Sequence, residues 1–156
     1  MRRLRDAKGH VVRALVYLVL SSVLAGCPAD PTPTGTTCPS PDPQTLTYDN
    51  FGRAFMESYC TWCHDSDLPR SKRNGAPIYH DYDSLLGVLS TIDHVDQQAG
   101  FGPNAENTLM PPDECPTTPG GPLDRSCPKP TDEERRQLAE WLACEKDRPH
   151  TGSPVR

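Results

Sequence analysis

Cys60-Thr61-Trp62-Cys63-His64 is the stretch on which the reading of this chain turns. Two thiols at i and i+3 reach the two vinyl groups along one edge of a porphyrin and form two thioethers; an imidazole one residue later falls beneath the iron. The pentapeptide therefore reads as a c-type haem attachment site, with Cys60 and Cys63 as covalent anchors and His64 as proximal iron ligand. Two other chemistries use cysteine pairs at this spacing. A thioredoxin-like dithiol follows a strand in a βαβ unit, and no such pattern surrounds residues 60–64. A structural zinc site calls for a second close pair, whereas Cys115 and Cys127 stand far apart among prolines.

The front of the chain agrees with that chemistry. Arg2, Arg3, Arg5, Lys8 and Arg13 precede a mostly apolar run from Leu15 to Val23, which is too short to span a bilayer. The run ends in Leu24-Ala25-Gly26-Cys27, so residues 1–26 resemble a bacterial lipoprotein signal, with Cys27 the residue that receives the lipid. An ordinary cleaved signal with an unmodified Cys27 is the alternative, and either version delivers the chain to an oxidising compartment. The expected location is the cell envelope, facing the periplasm, with inner and outer membrane left open. Residues 27–47 are rich in Pro, Thr, Asp and Ser, a composition that buries too little apolar surface to order itself, and are expected to form a tether.

Charge narrows the partners. The full chain has 16 basic and 21 acidic residues; loss of the first 26 removes five basic and one acidic residue, leaving a formal charge of −9. Nucleic acid is excluded as a natural partner, and a basic protein surface is favoured. Arg70, Lys72 and Arg73 form a basic run soon after the haem motif; a run of this kind is ordinarily a solvated loop, or it steers an acidic partner.

The foldable part, residues 48–148, suits one small domain, followed by a tail at 149–156. Tyr48, Phe51, Gly52, Phe55 and Tyr59 share one helical stripe leading into the motif, with Thr47 as N-cap. Gly52 inside that stripe costs helix stability unless another element approaches closely. Thr131-Asp132-Glu133-Glu134 is a capping box that opens a closing helix, whose Leu138, Trp141 and Leu142 form an apolar face able to lie across Gly52. Between them, Asp81 to Gln98 reads as a third helix stopped by Gly100, with Tyr82, Leu85, Leu86, Leu89 and Ile92 inward and Val88 and Val95 on the flank. No stretch alternates for long, so the expected class is all-α: a small helical domain around a covalent haem, with long loops.

From about Phe51 to Cys144 the chain resembles a class I cytochrome c domain. The matching residues are Cys60, Cys63 and His64, Gly52 eight positions earlier, Met110 in Asn107-Thr108-Leu109-Met110-Pro111-Pro112, and Trp141 in the closing helix. Two features depart from the family pattern: Met56 stands where an aromatic often precedes the first cysteine, and Asp113 to Pro130 reads as an insertion beside the haem pocket. The resemblance implies that the first and last helices cross at the glycine and that Met110 is the distal iron ligand. On periodicity alone a lone methionine is a core residue. His80 is the next candidate for the sixth position, while His94 is expected to face solvent, Met56 to lie too near the motif to reach the far side, and His150 to belong to the tail.

With Cys27 lipidated and Cys60 and Cys63 on haem, Cys38, Cys115, Cys127 and Cys144 remain, which allows three pairings. Cys115 with Cys127 is the simplest, closing the loop after Met110; Cys38 with Cys144 would then join the tether to the closing helix, and free thiols are the alternative. The function expected from these residues is one-electron transfer by a lipid-anchored monohaem protein between redox-partner proteins, without catalysis. The alternative is a haem sensor or peroxidase-like enzyme with an open sixth position, against which the absence of an evident distal His/Arg pair weighs.

Overall fold

The computed structural model describes residues 31–150; the expected signal segment, Cys27 and residues 151–156 lie outside the described residues. A π-helical turn, Tyr48–Gly52, runs directly into helix α1, Arg53–Tyr59, and α2 (Leu85–Ser90), α3 (Ile92–Ala99) and the long α4 (Asp132–Asp147) follow. Strands β1 (Glu114–Pro116) and β2 (Leu123–Ser126) pair antiparallel, with Glu114 opposite Ser126. The domain is therefore mixed, mainly helical with a small two-stranded sheet, and not plainly all-α. Strands of three and four residues are too short to show alternation, and the Cys115–Cys127 disulfide fixes the extended pairing that composition does not announce.

Both outer helices start where their caps dictate. The Thr47 hydroxyl accepts from the Asn50 N–H at 3.3 Å, and Asn50 Oδ1 accepts from the Thr47 N–H at 2.7 Å. Thr131 and Glu134 repeat the device at α4, with the Glu134 carboxylate accepting from the Thr131 N–H at 2.7 Å. Trp141, Leu138, Leu142, Met56 and Val88 are the most deeply buried apolar side chains, joined by Phe55, Tyr48, Tyr82 and Val95. Trp141 lies flat against Gly52: a Cβ there would stand 2.6 Å from Cη2 of the indole. The glycine inside the helical stripe is thus required by the closeness of Trp141 to the backbone.

The middle helix differs from expectation. Its register is set by Ser84, whose hydroxyl accepts from the Gly87 N–H at 3.2 Å, and it breaks at Thr91 before restarting as α3. The late start and the break reset the helical phase, so Val88 and Val95 are buried while Leu86 is 68% exposed. A β-branched threonine at the junction favours the break over an uninterrupted run.

Residues 31–47, expected to hang as a tether, instead run as a strap fastened along the domain. Thr34 is fully buried, its N–H and hydroxyl donating to the two oxygens of Asp96 at 2.9 and 2.6 Å. Asn107 bridges the strap to α3, its amide donating to the Thr32 and Asp96 carbonyls at 2.8 and 3.1 Å. Further along, Cys38 is disulfide-bonded to Cys144, and Arg148 grips Asp42 through two bonds of 2.6 and 2.9 Å. Composition argued against order here because the strap buries little apolar surface; the disulfide, the Asp42 ion pair and the hydrogen bonds of Thr32 and Thr34 that fasten it to the domain need partners more than 50 residues away.

Replacing Gly52 with valine should lower the denaturation midpoint by an amount equivalent to about 1–3 kcal/mol, the usual cost of overpacking a filled contact, with an unchanged denaturant slope.

Candidate functional site

Helix α1 ends at Cys60, whose N–H bonds the Met56 carbonyl at 2.8 Å; the N–H groups of Cys63 and His64 then both return to the Cys60 carbonyl, at 3.2 and 3.0 Å. The resulting turn curls the pentapeptide so that Cys60, Cys63 and His64 line one largely apolar cavity of about 250 Å³, together with Met110, Pro111 and Pro112. Neither thiol is in a disulfide.

Position and burial decide the state of these groups. Cysteines at the C-terminal end of a helix face the negative end of its dipole, where a thiolate is disfavoured. Burial pushes the Cys60 thiol up to about 12 and raises Cys63 as well. In the metal-free chain the pair therefore stays protonated at neutral pH, unlike a reactive dithiol. Among the described residues, the only three or more His, Cys, Asp or Glu groups that converge tightly enough for a metal ion are Cys38, Asp42 and Cys144, and those two cysteines are bonded to each other. Cys60, Cys63 and His64 all line the cavity and are not among the groups that converge so tightly.

His64 is the most constrained of the three. Its Nδ1 lies 3.0 Å from the His80 carbonyl, which can only accept, so the proton sits on Nδ1 and the lone pair on Nε2. Tyr82 stacks on the ring at 4.6 Å and 20°, and the Tyr82 N–H donates to the His64 carbonyl at 2.7 Å. Burial lowers the imidazole to about 4, so it is neutral at physiological pH with Nε2 unused by the protein.

Met110 sits in a loop held from both ends of its peptide. Its N–H donates to the Gln98 carbonyl at 2.9 Å, and its carbonyl accepts from Arg135 at 2.9 Å. The same Arg135 nitrogen also donates to the carbonyls of Ala99 and Asn107, at 2.9 and 3.1 Å. Lys129 secures the next two residues through the Pro111 and Pro112 carbonyls, at 2.6 and 2.8 Å. Met110 itself is 38% exposed on the cavity wall.

The expected insertion forms the hairpin β1–β2 and borders the same cavity. Cys115 contributes to the lining, Arg125 lies over the Trp62 ring at 4.7 Å, and the Asn74 amide donates to the Gly121 carbonyl at 3.2 Å. His80 offers its backbone to His64, and its ring lies beside the His64 ring, with centroids 6.3 Å apart. His94, expected to face away, is exposed yet borders the cavity, its ring edge-on to His80 at 4.7 Å. His150 folds back onto the Glu145 carbonyl at 2.7 Å.

Two arginines that hold the site escaped the sequence reading. Arg135 is 3% exposed; a cation at i, i+3, i+7 with Leu138 and Leu142 is a charged residue inside an apolar stripe, and that spacing was the available signal. Arg73, read as part of a solvated run, is also 3% exposed and pairs with Asp81 at 2.7 Å. Nothing local separates it from Arg70 and Lys72, because its partners lie in the loop at residues 80–81.

No family model, no curated protein and no solved structure matches the chain.

The depressed His64 value means that, as the pH falls, the unfolded state binds a proton before the folded state does. Stability from this group is fully present above about pH 6.5, the ordinary histidine value, and is lost as the pH falls toward the folded-state value of about 4. Denaturation midpoints measured across that window should fall for the native sequence and flatten in His64→Gln.

Proposed function

We propose that this chain is an exported, lipid-anchored monohaem c-type cytochrome that carries single electrons between redox-partner proteins. The observation that carries the reading is His64: a neutral imidazole, oriented through Nδ1, with Nε2 free, flanked by two unpaired thiols on the wall of an apolar cavity. The two disulfides support export to an oxidising compartment. On this reading the domain is cytochrome c-like, with Gly52 and Trp141 at the contact between its first and last helices.

Bound there, a haem supplies a reversible one-electron iron couple. Cys60 and Cys63 would tether it through thioethers, and His64 and Met110 would supply the iron's protein ligands. The His80 carbonyl and Tyr82 hold the His64 ring in place, Arg135 and Lys129 hold the Met110 loop, and the apolar walls limit water. A thioether ligand favours ferrous iron relative to a second imidazole, so the potential is expected to be positive. With His64 and Met110 both supplied as ligands, the iron would have no position left for substrate, which favours transfer over turnover.

Cys27 is proposed as the lipid attachment point. The strap is bound to the domain from about residue 32, a few residues after Cys27. Four residue steps from Cys27 to Pro31 span at most about 14 Å at full extension, and the partner would be met close to the membrane surface.

The absorption spectrum of the reduced protein, expressed with haem-attachment machinery, should show covalently held, low-spin haem that ignores carbon monoxide. A spectrum that shifts with the gas would move the reading to a sensor or peroxidase-like enzyme, and a protein that accumulates without haem would end it. Arg135→Met should make a fraction of the haem reactive toward carbon monoxide. The same change should lower stability by about 2–3 kcal/mol, since it leaves buried carbonyls unpaired.

A further inference from the structure

The carbonyl that orients His64 has a second donor. Arg73 follows the short 3₁₀ turn Arg70–Lys72, and its Nη2 donates to the His80 carbonyl at 2.9 Å, beside the His64 Nδ1–H at 3.0 Å. Both lone pairs of that oxygen are then engaged. Nη1 donates to the Asp65 carbonyl at 3.0 Å and lies 2.7 Å from Asp81 Oδ1. Arg73 is 3% exposed and the Asp81 side chain 27%, so the cation is shielded from water and the anion only partly so.

We propose that Arg73 and Asp81 form a charge pair that sets the reduction potential of the bound haem through the His80 carbonyl. The inference rests on the haem reading given above. A carbonyl that accepts only from an imidazole N–H pulls the ring toward imidazolate and makes Nε2 a stronger donor, which favours ferric iron. A permanent cation on the same oxygen draws its electron density away and weakens that pull. The buried positive charge also disfavours the more positive oxidation state directly, and through little water that effect is barely screened. Arg73 thus raises the potential, and the Asp81 carboxylate opposes it. Neither residue touches the iron ligand's Nε2; both act through the His80 carbonyl and through their charge, and are positioning residues.

Opposite signs separate this role from a merely structural one. In the haem-loaded protein, Arg73→Gln should lower the midpoint potential and Asp81→Asn should raise it. Each change is expected to move the reduction equilibrium by about three- to tenfold; tenfold corresponds to about 59 mV for a one-electron couple. Arg73→Lys keeps the charge and loses the forked geometry, and should fall between the native protein and Arg73→Gln. The proton resonance of His64 Nδ1–H should move in opposite directions in the two charge-removing variants. If Arg73→Gln fails to fold, Asp81→Asn and Arg73→Lys decide the matter. Potentials that stay put, or that move the same way in Arg73→Gln and Asp81→Asn while haem remains bound, overturn this inference alone. A native protein that takes up no covalent haem overturns it together with the proposed function.

Discussion

A guanidinium buried where no carboxylate lies within salt-bridge distance, among the described residues, draws the two walls of the cavity together. Burying a charge is costly unless it is hydrogen-bonded, and Arg135 is held by the backbone: the carbonyls of Ala99, Asn107 and Met110 converge on Nη1 and share its two protons. The end of α3, the turn after it and the Met110 loop are therefore fixed to α4. Because α4 also lays Trp141 on Gly52, the same helix sets the approach of α1 and hence of Cys60. A change at Arg135 reaches the cavity from the opposite side to a change at Gly52.

The second buried arginine does a comparable job on the other wall. Arg73 gathers the carbonyls of Asp65 and His80, closing the loop that follows His64 onto the loop that precedes α2. Both arginines meet backbone oxygens in segments with little regular structure. This is how a domain with short helices and long loops satisfies its buried carbonyls, and it explains why the loops are shaped without a continuous sheet. The strap adds a third fastening, with Thr34 and Asn107 tying residues 32–34 to Asp96 behind the Met110 loop.

The local elements were legible in the sequence where the information is local. Thr47 as an N-cap and the capping box at Thr131–Glu134 announced two helix starts, and Gly52 in an aromatic stripe announced a close approach. The middle helix was misread because Thr91 interrupts it, which shifts burial from Leu86 to Val88 and Val95. The strap was misread because its stabilisation is polar and distant, where composition measures only apolar content. The hairpin was missed because its strands are too short to carry a period.

The sequence by itself brought Cys60, Cys63 and His64 forward as one group: their spacing runs along the chain and needs no fold to be read. It also brought Met110 forward as a candidate through its proline-flanked loop. Only the tertiary structure decided which imidazole nitrogen is free, which charges are buried, and that residues 31–47 belong to the domain. Each of those depends on a partner far along the chain: the His80 carbonyl for His64, the Met110 carbonyl for Arg135, Asp96 for Thr34. Hydrogen bonds and burial are properties of proximity, and proximity between distant residues is what folding alone supplies.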